Sequence, residues 1–245
     1  MQVTAHQPGS SSLQEPGYWW HRVRTDLLAE VFGPLLGTPR RVLDVGSADA
    51  PSVGWMRGRH TTVTLDLLPD GLVPGEGVCG SVTALPFADA SFDVVSAFDV
   101  VEHCADDTAA LAELARVLAP GGRLLLSVPA YAWAWSDHDV RAGHYRRYTQ
   151  ARLVAAVEEA GFVVRRSTYG FSAVFPFFVA ERLARLLRRR SADKRQGLTP
   201  VPPTLDKVLM RLSRLDSRLL RKHDLPFGSS VFLAAAKPGP GDRTT

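Results

Sequence analysis

The sequence predicts an α/β fold organised around an open, mostly parallel sheet. Residues 41–51 (RVLDVGSADAP) hold a short apolar run that Gly46 stops, and residues 62–70 (TVTLDLLPD) repeat this pattern with Asp66 at the end of the run. Strand and helix patterns then alternate up to about residue 169. Two buried parallel strands that each carry a carboxylate near the end indicate the edge of an open α/β sheet, where nucleotide-like ligands bind.

Length and composition fit one α/β domain with an added segment. The 245 residues are 45% hydrophobic and 22% charged, so a sizeable core can form. The two cysteines, Cys79 and Cys104, show neither a metal-binding spacing nor a disulfide pattern, which predicts a reducing, cytoplasmic location. Neither a signal sequence nor an apolar run of about 18 residues is visible, so we expect no membrane span.

The first third of the chain predicts one helix in front of the first strand. Residues 1–16 are polar and rich in Gly, Ser and Pro, which predicts a disordered N-terminus. Apolar residues at helical spacing predict a helix over residues 18–36 that ends at Gly37. Its first aromatic residues, including Tyr18, either cover a ligand or only fill the core.

The middle of the chain predicts alternating strands and helices. Strands are predicted over residues 92–98, 123–128 and 162–169. Helices are predicted over residues 106–118, with Asp106 or Asp107 as the N-cap, and over residues 149–161, with Thr149 as the N-cap.

The alternation breaks after residue 170, where a basic helical insertion begins. Amphipathic patterns predict helices over residues 176–190 and 205–222, and residues 181–224 carry 13 Lys and Arg against 5 Asp and Glu. We expect residues 17–170 to form the core, 171–224 the insertion, 225–237 the last core strand and 238–245 a loose tail. The insertion fits a lid, a homodimer surface or, through residues 171–190, a peripheral contact with the inner face of a membrane.

Five segments together resemble the class I S-adenosylmethionine (SAM)-dependent methyltransferases of the small-molecule type known as methyltransferase type 11. They are VLDVGSADAP, TLDL, ALPFADASFDVVSAFDVVEH, LARVLAPGGRLLLSVP and LVAAVEEAGF, which together cover residues 41–165. The resemblance implies a Rossmann-like seven-stranded sheet whose last strand is antiparallel, with the helical insertion between the last two strands. It also implies SAM as cofactor and S-adenosylhomocysteine as product.

The resemblance also implies a cofactor site at the ends of the first strands. Gly46 lets the backbone approach the methionine part of SAM, and Asp66 is similar to the acid that accepts both ribose hydroxyls. The other implied positions are Asp44, Ser47, Ala48, Leu67, Ser81, Val82, Phe98, Asp99 and His103, of which His103 has either a site role or a structural one. The chain departs from the family at Ala48 and Ala50, where glycines are usual, and at Ser81, where an acid is usual.

Residues 127–149, the acceptor loop, leave the carboxyl edge of the sheet. We therefore predict that they face the acceptor, meaning the molecule that receives the methyl group. The expected acceptor contacts, besides Tyr18, are Tyr131, Trp133, Trp135, Arg146, Arg147 and Tyr148. The arginine pair either binds a phosphate or carboxylate or lies on a solvated turn.

The same loop holds the candidate bases Asp137, His138 and His144. Either histidine is preferred, because an unperturbed imidazole titrates near pH 6.5. We expect no metal at His138, Asp139 and His144, because their spacing matches no established zinc pattern.

These observations predict a SAM-dependent methyltransferase that transfers a methyl group to an oxygen or nitrogen of a small-molecule acceptor. A specialised metabolite and a sugar- or lipid-linked compound both fit. A SAM-fold binding or regulatory protein without methyl transfer is the alternative. Nucleic acid is not an expected partner, because the Asn/Asp-Pro-Pro-aromatic tetrapeptide is absent from the sequence and the arginines lie on amphipathic helices.

Overall fold

A computed structural model describes residues 18–46, 55–56, 61–69, 72, 77–187 and 202–239. In these residues seven strands form one sheet in the order β3-β2-β1-β4-β5-β7-β6. The strands are β1 (Arg41–Val45), β2 (Thr61–Asp66), β3 (Gly77–Cys79), β4 (Phe92–Phe98), β5 (Leu118–Pro129), β6 (Val163–Gly170) and β7 (Ser230–Ala236). Strand β7 runs antiparallel to β5 and β6, and the other pairs are parallel. The predicted sheet with an antiparallel last strand is therefore confirmed.

Six helices of the described residues pack around this sheet. They are α1 (Trp19–Leu36), α2 (Asp107–Val117), α3 (Asp137–Ala142), α4 (Gln150–Glu159), α5 (Phe175–Leu187) and α6 (Pro203–Leu220). The predicted caps are present: Asp106 accepts a hydrogen bond from the Ala109 N–H at 2.9 Å, and Thr149 accepts one from the Arg152 N–H at 3.2 Å. Helix α1 packs against α6 and β7, and α5 and α6 lie between β6 and β7 in the chain.

The boundary between α2 and β5 differs from the prediction. The strand predicted to begin at Arg123 begins at Leu118, so the Pro-Gly-Gly turn lies inside β5. The helix ends at Val117, one residue before the predicted end, and Pro120 follows it closely. The ammonium group of Lys237 binds the carbonyls of Ala115 and Leu118, each at 2.7 Å, and so joins this boundary to the end of β7.

The acceptor loop contains a helix that the sequence did not predict. Helix α3 has only six residues and a polar sequence, DHDVRA, so it lacks the apolar repeat that predicts a helix. A capping box begins it, with Ser136 and Asp139 exchanging hydrogen bonds between side chain and backbone. None of the described helices combines the length and apolar content that crossing a bilayer requires.

Candidate functional site

The turn after β1 depends on Gly46. Its φ of +75° is in the left-handed region, and its N–H donates to the carbonyl of Leu65 at 2.8 Å. A Cβ at this position would lie 2.4 Å from Cγ2 of Val100, which is closer than packed atoms approach. The backbone therefore requires glycine here twice, once for φ and once for space. The predicted site residues Ser47 and Ala48, and also Ala50, lie outside the described residues.

The carboxylates Asp44 and Asp66 occupy different environments near the ends of β1 and β2. Asp44 is buried, and it accepts a hydrogen bond from Ser96 Oγ on β4 at 2.8 Å. Asp66 is half-buried, and one of its oxygens accepts the Leu68 N–H at 3.1 Å. Leu67, the residue after Asp66, is 65% exposed. Asp44 thus fixes the strand beneath the turn, whereas Asp66 stands at the surface of the sheet edge.

The remaining predicted cofactor residues split into a surface group and a core group. Ser81 Oγ lies 2.8 Å from Thr83 Oγ1 and accepts the Thr83 N–H at 3.2 Å, so the hydroxyl is engaged in a local turn. Val82 and Phe98 are buried, and the ring of Phe98 stacks on Phe32 with centroids 5.5 Å apart. These two residues are part of the core that supports the edge.

Asp99 adopts an unusual backbone conformation at the end of β4. Its φ is +57°, which Asp tolerates better than most residues. The carboxylate accepts a hydrogen bond from Ser127 Oγ at 3.2 Å and pairs with Arg24 of α1 at 2.8 Å. Arg24 is buried and lies over the Trp20 ring at 5.5 Å. Arg24 is not among the residues predicted for the site, although a charge within the apolar stripe of the predicted helix was a usable signal.

An aromatic cluster joins the acceptor loop to the insertion. The ring of Tyr131 stacks on Tyr169 at 5.4 Å and on Trp133 at 5.8 Å, and it contacts Phe175 of α5 at 5.6 Å. Burial, together with a hydrogen bond to Tyr169, raises the pKa of Tyr131 to about 12. Trp133 is 51% exposed and Trp135 is 40% exposed, so both have free surface. The predicted Tyr18 is half-buried, at the start of α1 and next to Trp19 and His21.

Asp139 is the centre of a buried polar network in the acceptor loop. Its two oxygens bind Arg147 at 2.7 and 3.0 Å, and one of them also binds Nδ1 of His144 at 2.8 Å. Burial alone would raise the pKa of Asp139, but these hydrogen bonds hold it below its usual range. Asp139 thus neutralises the charge of Arg147, a residue that was predicted to contact the acceptor.

The other two predicted polar contacts of the acceptor are also engaged inside the protein. Arg146 pairs with Asp107 of α2 and donates to the carbonyl of Ala105. The hydroxyl of Tyr148 donates to the same carboxylate at 2.6 Å, and the ring is buried. Neither reading of the arginine pair matches this arrangement: the pair is not a solvated turn, and an anion that reached it would have to compete with Asp107 and Asp139.

Three histidines come together beside this network. The rings of His103 and His144 are 4.5 Å apart, and those of His138 and His144 are 6.3 Å apart. His103 and His138 are exposed on one side, yet desolvation of the other side lowers both pKa values, that of His103 to about 4. Asp137 is exposed at the start of α3. The chain thus brings the predicted bases His138 and His144 to one place, together with His103 from the cofactor group.

Part of the chain is similar to a known protein family. Residues 43–126 match the family model described as a methyltransferase domain. Together with this match, the seven-stranded sheet with its antiparallel β7 shows that the chain has the class I methyltransferase fold.

Two curated proteins are similar to part of the chain. It is 39% identical over 141 residues to a protein of Mycolicibacterium smegmatis named a probable S-adenosylmethionine-dependent methyltransferase, covering 57% of this chain and 47% of that one. It is 33% identical over 143 residues to demethylmenaquinone methyltransferase of Mycobacterium tuberculosis, covering 54% and 58%. The chain thus spans about half the length of these curated relatives.

Solved structures show the same fold at low sequence identity. A Haloferax volcanii methyltransferase in complex with the Trm112 activator superposes with a TM-score of 0.58 at 17% identity, covering 93% of both chains. The [4+2]-cyclase SpnF superposes with a TM-score of 0.56 at 21% identity, covering 89% of this chain and 81% of that one.

Proposed function

We propose that the protein transfers a methyl group from SAM to an oxygen or nitrogen of a small-molecule acceptor. The observation that carries the proposal is the Gly46 turn after β1 beside the half-buried Asp66 at the end of β2. A side chain at Gly46 would collide with Val100, so the backbone of the turn lies bare at this position. These residues fit SAM, which supplies an electrophilic methyl group on a sulfonium when it is bound.

The chain's own residues mainly position the reactants in this proposal. Gly46 and Asp66 hold the cofactor, and the exposed faces of Trp133 and Trp135 form walls of the acceptor site. Methyl transfer is an in-line displacement, so alignment supplies most of the catalysis. A base is needed only where the nucleophile carries a proton, and His138 or His144 is in place to take it. Normal turnover in both alanine variants at saturating SAM would remove this role.

Helix α5 supports the lid version of the insertion. Phe175 and Phe178 of α5 contact Trp133 with centroids about 6 Å apart, so the helix lies against the acceptor loop. The outer side of the helix exposes Phe177 and Leu183, which supports the membrane-surface version. Co-sedimentation with anionic liposomes at low salt separates them, because a lid helix leaves the protein in the supernatant.

Calorimetric titration tests the cofactor part of the proposal. We expect the protein to bind SAM and S-adenosylhomocysteine, and Asp66→Asn to weaken both by at least about tenfold, since the amide cannot accept two hydroxyls as a carboxylate does. Asp26→Asn, on the exposed face of α1, is the matched control and should bind as the wild type does. Equal binding by the two variants would remove Asp66 from the site.

A second candidate function is a SAM-fold protein without methyl transfer. The structural similarity to a protein named a [4+2]-cyclase favours keeping it, since this fold is then not restricted to one reaction. Absence of binding to both SAM and its demethylated product would favour a binding or regulatory role. Release of S-adenosylhomocysteine with any member of a panel of oxygen and nitrogen acceptors would exclude it.

A further inference from the structure

Three side chains with metal-ligating atoms converge next to the acceptor loop. The side chains are those of Glu102, His103 and His144. Each offers one ligand atom, and the three atoms lie within 4.8 Å of one another. Glu102 and His103 belong to the 3-10 turn that follows β4, and His144 follows α3. A backbone hydrogen bond of 2.7 Å from Tyr145 N–H to the Glu102 carbonyl holds the two segments together.

Glu102 is the member of this group that most requires a partner. Its side chain is fully buried, and apart from its own backbone N–H neither carboxylate oxygen meets a donor among the described residues. Arg24 and Arg147 influence it only from a distance, since their hydrogen-bonding groups reach Asp99 and Asp139. A buried carboxylate without a partner is costly, and a bound cation would remove that cost.

His144 is held as metal-binding imidazoles usually are. Nδ1 of His144 faces Asp139 at 2.8 Å, which leaves Nε2 as the nitrogen with a lone pair. The carbonyl of Ala142 lies near the ring of His103. Metal-ligating histidines characteristically donate their second ring N–H to a carboxylate or a backbone carbonyl, which fixes the tautomer and the orientation of the ring. Arg147 and Ser136 in turn hold Asp139 in place.

We propose that Glu102, His103 and His144 bind a divalent first-row transition-metal ion. Two imidazoles and one carboxylate suit such ions better than Ca²⁺ or Mg²⁺, which prefer oxygen ligands. Ligands that each bond at about 2.1 Å are at most about 4.2 Å apart, so the three side chains close slightly around the ion. This set differs from the one considered in the sequence, because Arg147 already occupies Asp139 and because His138 lies farther from the group.

Three protein ligands leave coordination positions for water or for an oxygen of the acceptor. The role of holding an acceptor oxygen rests on the proposed function, whereas binding of the ion does not. With His144 as a ligand, His138 is the base that remains for a protic acceptor.

The test is calorimetric titration of the full chain, freed of metal by chelation, with Zn²⁺ and separately with Mn²⁺. We expect one ion per chain, at least about tenfold weaker binding in Glu102→Gln, His103→Ala and His144→Ala, and a wild-type melting temperature that rises with the ion. His223→Ala removes an exposed imidazole beyond α6 and is the matched control, with wild-type binding expected. His103 is exposed, so its alanine variant keeps the fold, and far-ultraviolet circular dichroism checks all variants.

Two results would overturn the proposal: absence of saturable one-to-one binding of both ions, or binding that His103→Ala and His144→Ala leave unchanged. Loss of binding in His138→Ala but not in His103→Ala would point to a different ligand set and would also overturn it. Titration of the same samples with S-adenosylhomocysteine keeps the two proposals separate. Binding of the metal without binding of S-adenosylhomocysteine would contradict the methyl-transfer proposal alone. Binding of S-adenosylhomocysteine without binding of the metal would contradict the metal site alone.

Discussion

The cofactor edge, meaning the turn after β1 with the end of β2, and the acceptor face, meaning residues 127–149 with α5, are built in different ways. At the cofactor edge, backbone conformation and short-range bonds such as Leu68 to Asp66 set the shape. At the acceptor face, side chains far apart in sequence set it, for example Tyr148 on Asp107 and Tyr131 on Phe175. The cofactor edge therefore tolerates little change in backbone, and the acceptor face little change in charge pairing.

The largest expected effect comes from breaking the charge network of the acceptor face. Asp139→Ala leaves the buried guanidinium of Arg147 without its partner, so we expect a loss of about 3–5 kcal/mol in the free energy of unfolding. Urea denaturation measures it. Asp137→Ala, two residues away and exposed, should stay within about 0.5 kcal/mol of the wild type. A similar stability for both variants would mean that the network does not hold the face together.

A buried acid of the insertion, behind the acceptor face, makes the stability of the protein depend on pH. Asp216 of α6 accepts the Ala173 N–H at 3.0 Å, and burial raises its pKa to about 6 from 3.8. Between pH 4 and 6 the folded chain keeps a proton that the unfolded chain loses, so stability falls as the pH rises, by roughly 3 kcal/mol.

Asp216→Asn should remove this part of the pH dependence. Urea denaturation at pH 4 and pH 7 measures the difference for the variant and the wild type. Asp224→Asn changes an exposed acid near the end of the same segment and should keep the wild-type dependence. An unchanged dependence in Asp216→Asn would assign it to other groups.

At the cofactor edge we expect one added methyl group, at Gly46, to destabilise the turn after β1. Gly46→Ala imposes a left-handed alanine, at about 1–2 kcal/mol, and adds a contact with Val100, so we expect a loss of about 2–3 kcal/mol and weaker binding of S-adenosylhomocysteine. Gly121→Ala has a similar φ of +79° with open space around the new Cβ, and it should lose only the conformational part. Thermal unfolding and calorimetry compare the two variants, and equal results would show that the contact with Val100 has no effect.

The smallest effect is expected where the acceptor face is open to solvent. Trp133→Ala removes stacking on Tyr131 but little buried surface, so the free energy of unfolding should fall by only about 1 kcal/mol. If Trp133 forms a wall of the acceptor site, KM for the acceptor rises while binding of S-adenosylhomocysteine is unchanged. A variant with normal KM would place the acceptor elsewhere.

The cofactor edge could be predicted from the sequence because its signals are local. An apolar run ended by Gly46 and a second one ended by Asp66 specify both strands and the turn that follows β1. The caps at Asp106 and Thr149 were predicted for the same reason, since a capping side chain acts on a backbone group three residues away.

The acceptor face could be predicted only as a set of residues. Its arginines were expected to bind an anion, but Arg147 and Arg146 are neutralised by Asp139 and Asp107, and the second of these pairs links residues 39 positions apart. The convergence of Glu102 and His103 with His144 depends likewise on how the strand ends meet. Spacing along the chain carries no information on such contacts.

The position of β7 has a consequence for the order in which the molecule can be completed. Strand β6 lies at the border of the described sheet and has β7 as its one neighbour there, and β7 also separates it from β5. Until residues 230–236 are synthesised and inserted, the backbone groups of β6 lack their ladder, and Tyr169 lacks a fixed place beside Tyr131. The stack of Tyr131 on Tyr169 therefore forms only after β7 is in the sheet, whereas the Gly46 turn can form when β1, β2 and β4 have paired.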